Sequence, residues 1–174
     1  MEPPAKLLGH SLHHHLVAFP LGLIVTAVVS DLIAVQRDWP DLARAAAYML
    51  AAGVILGGVA ALTGLLDWAA IPSGTRARRV STLHGGGMLL TIGLSAGAWL
   101  PRRDDPANPS TVALAIEIAA LLVVLISAWL GNELVVRLGV GVDRGAHLDA
   151  PSSLSGRPTS ESETLPALRR RSVR

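Results

Sequence analysis

The chain has no cysteine. That excludes disulfides, thioether-attached haem and any cysteine-ligated iron–sulfur cluster built within it. Aromatic residues make up only 3% of it, and no ten-residue segments of alternating polarity occur, so the pattern of a transmembrane barrel is missing. A signal peptide is also not legible. The N-terminus offers one lysine, a histidine-rich stretch, an apolar run too long for an h-region and no convincing cleavage site, so that run is expected to be retained. No nucleophile–base pair, phosphate-binding loop or substrate domain can be read, and a free-standing enzyme is therefore not expected.

What is present is hydrophobicity in blocks. Half of the 174 residues are apolar (51%) and the mean hydropathy is +0.47. The apolar residues fall into runs about 20 residues long, the length that crosses a hydrocarbon core of roughly 30 Å. In lipid each backbone amide must be satisfied within its own segment, so such runs must be helices. The expected fold is all-α: a four-transmembrane-helix, up-down-up-down bundle with a disordered C-terminal tail. The spans are placed at about 16–35, 45–66, 83–100 and 111–134, within a domain covering 1–142. Pro20 lies one turn inside the first span and is expected to kink it. Gly53 with Gly57, and Gly93 with Gly97, have the spacing that lets membrane helices approach closely. Trp39, Trp68, Trp99 and Trp129 mark span ends at headgroup level.

Lys6, Arg76, Arg78, Arg79, Arg137 and Arg144 fall on one side of these spans, and Arg37, Arg44, Arg102 and Arg103 on the other. The excess places both termini in the cytoplasm of a multi-pass cell-membrane protein. From 143 to 174 the composition turns to Ser, Pro, Thr and Arg, which cannot bury a core. The tail ends on Arg169, Arg170 and Arg171, a cluster suited to anionic lipid. The partners expected are the lipid bilayer, a redox partner protein and further copies of the chain, with no nucleic acid.

Polar residues inside apolar spans are costly and face the bundle interior. They form two tiers. His10, His13, His14 and His15 at the start of the first span, Asp67 at the end of the second, His84 at the start of the third and Glu133 at the end of the fourth share one depth. Read as one helix, this stretch puts His10 on a face with His13 and His14. Asp31 and Glu117 form the other tier, about one turn from water. Asp31 lies 18 residues beyond His13, or about 27 Å along a helix. Neutral imidazoles ligate transition metals, and paired histidines ligate haem iron. His84 is followed by Gly85, Gly86 and Gly87, which clear bulk where a flat cofactor or another helix needs room. The cofactor-binding set is thus His13 and His84 with His10 in reserve, for haem b or a transition metal. The metal-ligating set is His10, His13, His84, Asp67 and Glu133. Interface anchoring and close helix packing explain the same residues without a ligand.

Gly9 to Gly22, reading Gly-His-Ser-Leu-His-His-His-Leu-Val-Ala-Phe-Pro-Leu-Gly, resembles the opening signature of the bacterial membrane family called domain of unknown function 2231. Asp31-Leu32, the run from Leu62 to Trp68, and Trp129 to Val135 continuing through Gly139 to Val142 match further stretches in order, and His84 falls where the family has a histidine. The resemblance covers about residues 6 to 142 and implies that His10, His13, Asp31, Asp67, His84 and Glu133 occupy family positions. His14 stands where the family prefers proline, and Val136 and Leu138 where it often has tyrosine and histidine. Some relatives carry a fused Rieske-type domain, which implies redox work in the inner membrane. The functions weighed are a haem- or metal-binding electron-transfer component serving an oxidoreductase, a proton- or cation-handling transporter, and a cofactor-free assembly subunit.

Overall fold

The computed structural model describes residues 2 and 4–161. A two-residue antiparallel ladder pairs β1 (Lys6–Leu7) with β2 (His10–Ser11). Four long helices follow: α1 (Leu12–Arg37), α2 (Pro40–Ala70), α3 (Arg76–Trp99) and α4 (Thr111–Val136). A single 3-10 turn, Leu100–Arg102, leads out of α3. The helix starts are locally encoded. The side chains of Ser11, Thr75 and Ser110 accept from the backbone amides of His14, Arg78 and Ala113, and Pro40 opens α2 where an N–H is dispensable.

Each helix runs further than the apolar run predicted for it, except that α3 stops one residue short at its C-terminal end. At 31 residues α2 is about 46 Å long, more than a hydrocarbon core requires. Three helices, α1, α2 and α4, are long and apolar enough to cross a membrane. Length does not set α3 apart. It is diluted by Arg76, Arg78, Arg79, Ser81, Thr82, His84, Thr91 and Ser95, of which Ser81, Thr91 and Ser95 are buried.

The packing is that of a lipid-embedded protein turned inside out relative to a soluble one. The interior is built largely of small residues, Ala27, Ala46, Ala47, Ala60, Ala98 and Ala120 among them, with Leu50, Ile24, Val28 and Val124 among the larger exceptions. The big side chains point outward: Phe19, Leu62, Leu65, Leu83, Leu89 and Ile126 are each more than half exposed. Burial of apolar area cannot be what this surface seeks in water. α1 packs chiefly on α2 and α3 on α4, with α2 against α3 and a lighter contact of α1 with α4.

Gly53 and Gly57 supply the close approach expected of them. A Cβ on Gly53 would lie 2.7 Å from Ile24 of α1, and one on Gly57 would lie 3.0 Å from Ile92 of α3. Gly93 and Gly97 do not, since a Cβ at either would meet nothing within 4 Å. α1 continues through Pro20, which is buried on the Gly57 side.

Beyond α4 the chain runs in turns to Glu161, without helix or strand. It is seated on the N-terminal ladder: Lys6 pairs with Asp143 at 2.8 Å, and a Cβ on Gly9 would lie 2.8 Å from Ser153. The cluster Arg169-Arg170-Arg171 lies outside the described residues.

Candidate functional site

His13 sits in the first turn of α1, half-buried against α2. Its Nδ1 donates to the carbonyl of Ala60 at 3.0 Å, with Thr63 Oγ1 at 3.4 Å. One turn on, Gly64 makes the space: a Cβ there would lie 2.8 Å from the ring. The same construction recurs between α3 and α4. His84 Nδ1 donates to the carbonyl of Ser127 at 2.8 Å, and a Cβ on Gly131, again four residues past that carbonyl, would lie 2.9 Å from the ring.

A carbonyl can only accept, so the proton of each neutral ring is on Nδ1 and Nε2 presents its lone pair. Neither Nε2 has a partner among the described residues. A metal-bound histidine is usually held in this way, one ring nitrogen oriented by a carbonyl and the other left for the metal. Of the three glycines after His84, Gly87 is occupied by helix packing, since a Cβ there would collide with Ser127. Gly85 and Gly86 border open space.

The other expected ligands are not gathered around these two rings. His10 precedes the helix, on β2, so it shares no helical face with His13. Its Nδ1 turns back to the carbonyl of Leu8, and its ring meets His15 edge-on at 5.6 Å. Glu133 is held by Arg76 at 2.6 Å. Asp67 is reached by Ser11 Oγ at 3.5 Å, and its Oδ1 has no partner among the described residues. No group of three or more His, Asp or Glu side chains suited to a metal ion occurs among the described residues.

His10, His14 and His15 instead line a surface cavity of about 400 Å³, together with Asp143 and His147. His147 is fully engaged there, accepting from the Asp149 amide at Nδ1 and donating to the carbonyl of Glu161 from Nε2. His14 lies over Gly141, whose φ of +81° and lack of a side chain both suit that contact.

The far tier is not near water. Asp31 and Glu117 are each 0% exposed, and between them lies Arg102, itself 4% exposed. Arg102 clamps Asp31 with two bonds, Nη1 to Oδ2 at 2.6 Å and Nη2 to Oδ1 at 3.0 Å. It also reaches Glu117 Oε1 at 3.1 Å and the carbonyls of Ala43 and Pro106. This constellation is absent from the sequence reading, which counts Arg102 among loop charges. The available signal was two lone acids at one depth on different helices with an arginine at the same end. Arg78, likewise only a topological charge in the sequence, closes the end of α2. It donates to the carbonyls of Trp68 and Ile71 (3.1 Å to the latter), and its guanidinium stacks 3.4 Å above the Trp68 ring.

Outward-facing leucines, a small-residue interior and ionic groups sealed inside define a helical, multi-pass integral membrane protein. The chain belongs to the family described as predicted membrane protein, domain of unknown function 2231, whose model matches residues 9–144. No curated protein and no solved structure matches it.

Proposed function

We propose that the chain is a membrane-embedded redox component in which His13 and His84 hold haem b, or a comparable iron cofactor, and exchange electrons with a partner oxidoreductase. The observation that carries this reading is the repeated imidazole mount: Nδ1 fixed to a helix carbonyl, a glycine clearing the ring, Nε2 free. Two histidine ligands would suit haem, whose porphyrin would supply the other donors. A bare zinc ion takes three or four protein ligands.

When bound, haem supplies a one-electron couple. The Ala60 and Ser127 carbonyls fix tautomer and ring orientation, which raises ligand basicity. Acid protonates the free nitrogens, so binding weakens as pH falls.

Topology belongs to the same proposal. α3 crosses as a fourth span in an up-down-up-down bundle, with Ser81, Thr91 and Ser95 facing inward. With both termini cytoplasmic in the bacterial inner membrane, as the Lys/Arg asymmetry favours, the two histidines lie near the cytoplasmic surface, within reach of a soluble or peripheral partner. A second copy of the chain is a further partner in this reading.

Titration of haem into the purified, cofactor-free protein tests the assignment. The wild-type chain is expected to bind one equivalent with the absorption of two-imidazole ligation and to melt at a higher temperature when loaded. His13→Ala and His84→Ala each lose the spectrum and the thermal shift, while His14→Ala and His147→Ala keep both. Retention of both by either of the first two variants removes that histidine from the ligand set.

A further inference from the structure

At the other end of the bundle, the charge count of the Asp31–Arg102–Glu117 cluster does not close. Arg102 contributes one positive charge and cannot be deprotonated in a protein. Two carboxyl groups share it, Asp31 Oδ2 and Glu117 Oε1 both meeting the same Nη1. Fully ionised, the cluster would carry one net negative charge among side chains no more than 3% exposed. An unmatched charge in such surroundings is strongly unfavourable. A carboxyl group there takes up a proton instead.

The two acids are not equivalent. Asp31 has both oxygens on the guanidinium in the fork geometry that a carboxylate favours. Glu117 receives a single bond, and its Oε2, fully buried, has no partner among the described residues. Of the other charges near this end, Asp41 with Arg44 on α2 and Arg103 with Asp104 in the loop pair at the surface, Asp105 accepts from Asn108, and Arg37 and Asp38 at the end of α1 are exposed.

We propose that the cluster is a proton-binding site: Asp31 and Arg102 form the ion pair, and Glu117 carries a proton as a neutral carboxylic acid. The site then has no net charge and one exchangeable proton. Glu117 lies on α4, Asp31 on α1 and Arg102 on the turn leaving α3, with the α2 backbone joining through the Ala43 carbonyl. Every helix therefore meets at the proton. Loss of the proton leaves two carboxylates on one guanidinium, a buried net negative charge whose mutual repulsion destabilises this end of the bundle.

Infrared spectroscopy of the full chain in detergent at neutral pH tests this. The expected result is the carbonyl stretch of one protonated carboxylic acid per chain, shifting in deuterium oxide. It disappears in Glu117→Gln, which keeps the shape of the neutral acid, and persists in Asp41→Asn. Asp31→Asn is expected to lose the band as well, because Glu117 is then the sole anion for Arg102, and this assigns the band to the cluster even if the glutamine variant fails to fold. Absence of the band from the wild-type protein overturns the proposal. So does a band that survives both cluster substitutions.

Discussion

A glycine four residues past a carbonyl that accepts from an imidazole leaves room for the ring and nothing more. At Gly64 and Gly131 an added methyl would press on His13 and His84 at 2.8 and 2.9 Å, and neither ring can retreat without losing its carbonyl. Gly64→Ala and Gly131→Ala are therefore expected to destabilise the protein, by about 1–3 kcal/mol for overpacking, and to weaken cofactor binding. Gly93→Ala and Gly97→Ala meet open space on a helix. There the gain in helix propensity should stabilise by up to about 1 kcal/mol each. Thermal melting of the four variants checks the contrast; equal effects at all four positions would mean that the glycines do not mount the rings. Arg78 makes a different claim. Arg78→Ala removes the stacking on Trp68 and the donors to two carbonyls at the end of α2. Its expected cost is about 1–3 kcal/mol, read as a lower melting temperature.

At the scale of elements, α3 is the helix that hydropathy judges least suited to lipid, because its polar residues are counted without regard to the face they occupy. Leu89 and Leu90 are exposed on its outside, while Thr91 and Ser95 are buried within. The absence of cysteine makes the point testable on a clean background. A single cysteine at Leu89 is expected to resist a membrane-impermeant thiol reagent in intact vesicles, while one at Asp104 in the following loop reacts from one side. Labelling at position 89 as fast as at position 104 would show that α3 does not cross. Element existence was readable because apolar runs of helix length admit one structure in lipid. The ends were less so. α2 extends four residues past the apolar run predicted to stop at Leu66, where Arg78, eight residues after its last residue, caps it.

At the scale of the whole molecule, the sequence puts His10 on a helical face with His13, whereas His10 stands on β2, because a two-residue ladder before α1 has no periodicity to announce it. It also kept Asp31 and Glu117 near water. Their partner, 71 and 15 residues away, stands in a stretch of prolines, arginines and aspartates that reads as an ordinary loop. Long-range ion pairing has no local signature, whereas a histidine at a span end does. The C-terminal segment was composition alone, and its seat on the N-terminal ladder rests on exposed contacts such as Lys6 with Asp143. Such a pair is worth less than about 1 kcal/mol. Truncation after Val142 should therefore leave insertion and melting temperature almost unchanged; a large fall in either would give the removed segment a structural part.

The central claim, that two imidazoles near one end of the bundle hold an iron cofactor, is tested most directly by the absorption spectrum and elemental analysis of wild-type protein purified from cells supplied with haem and iron. The expected result is about one iron per chain, with a haem spectrum that sharpens on reduction and is lost in acid, where protons compete for the ligating nitrogens. A colourless protein free of metal would contradict it.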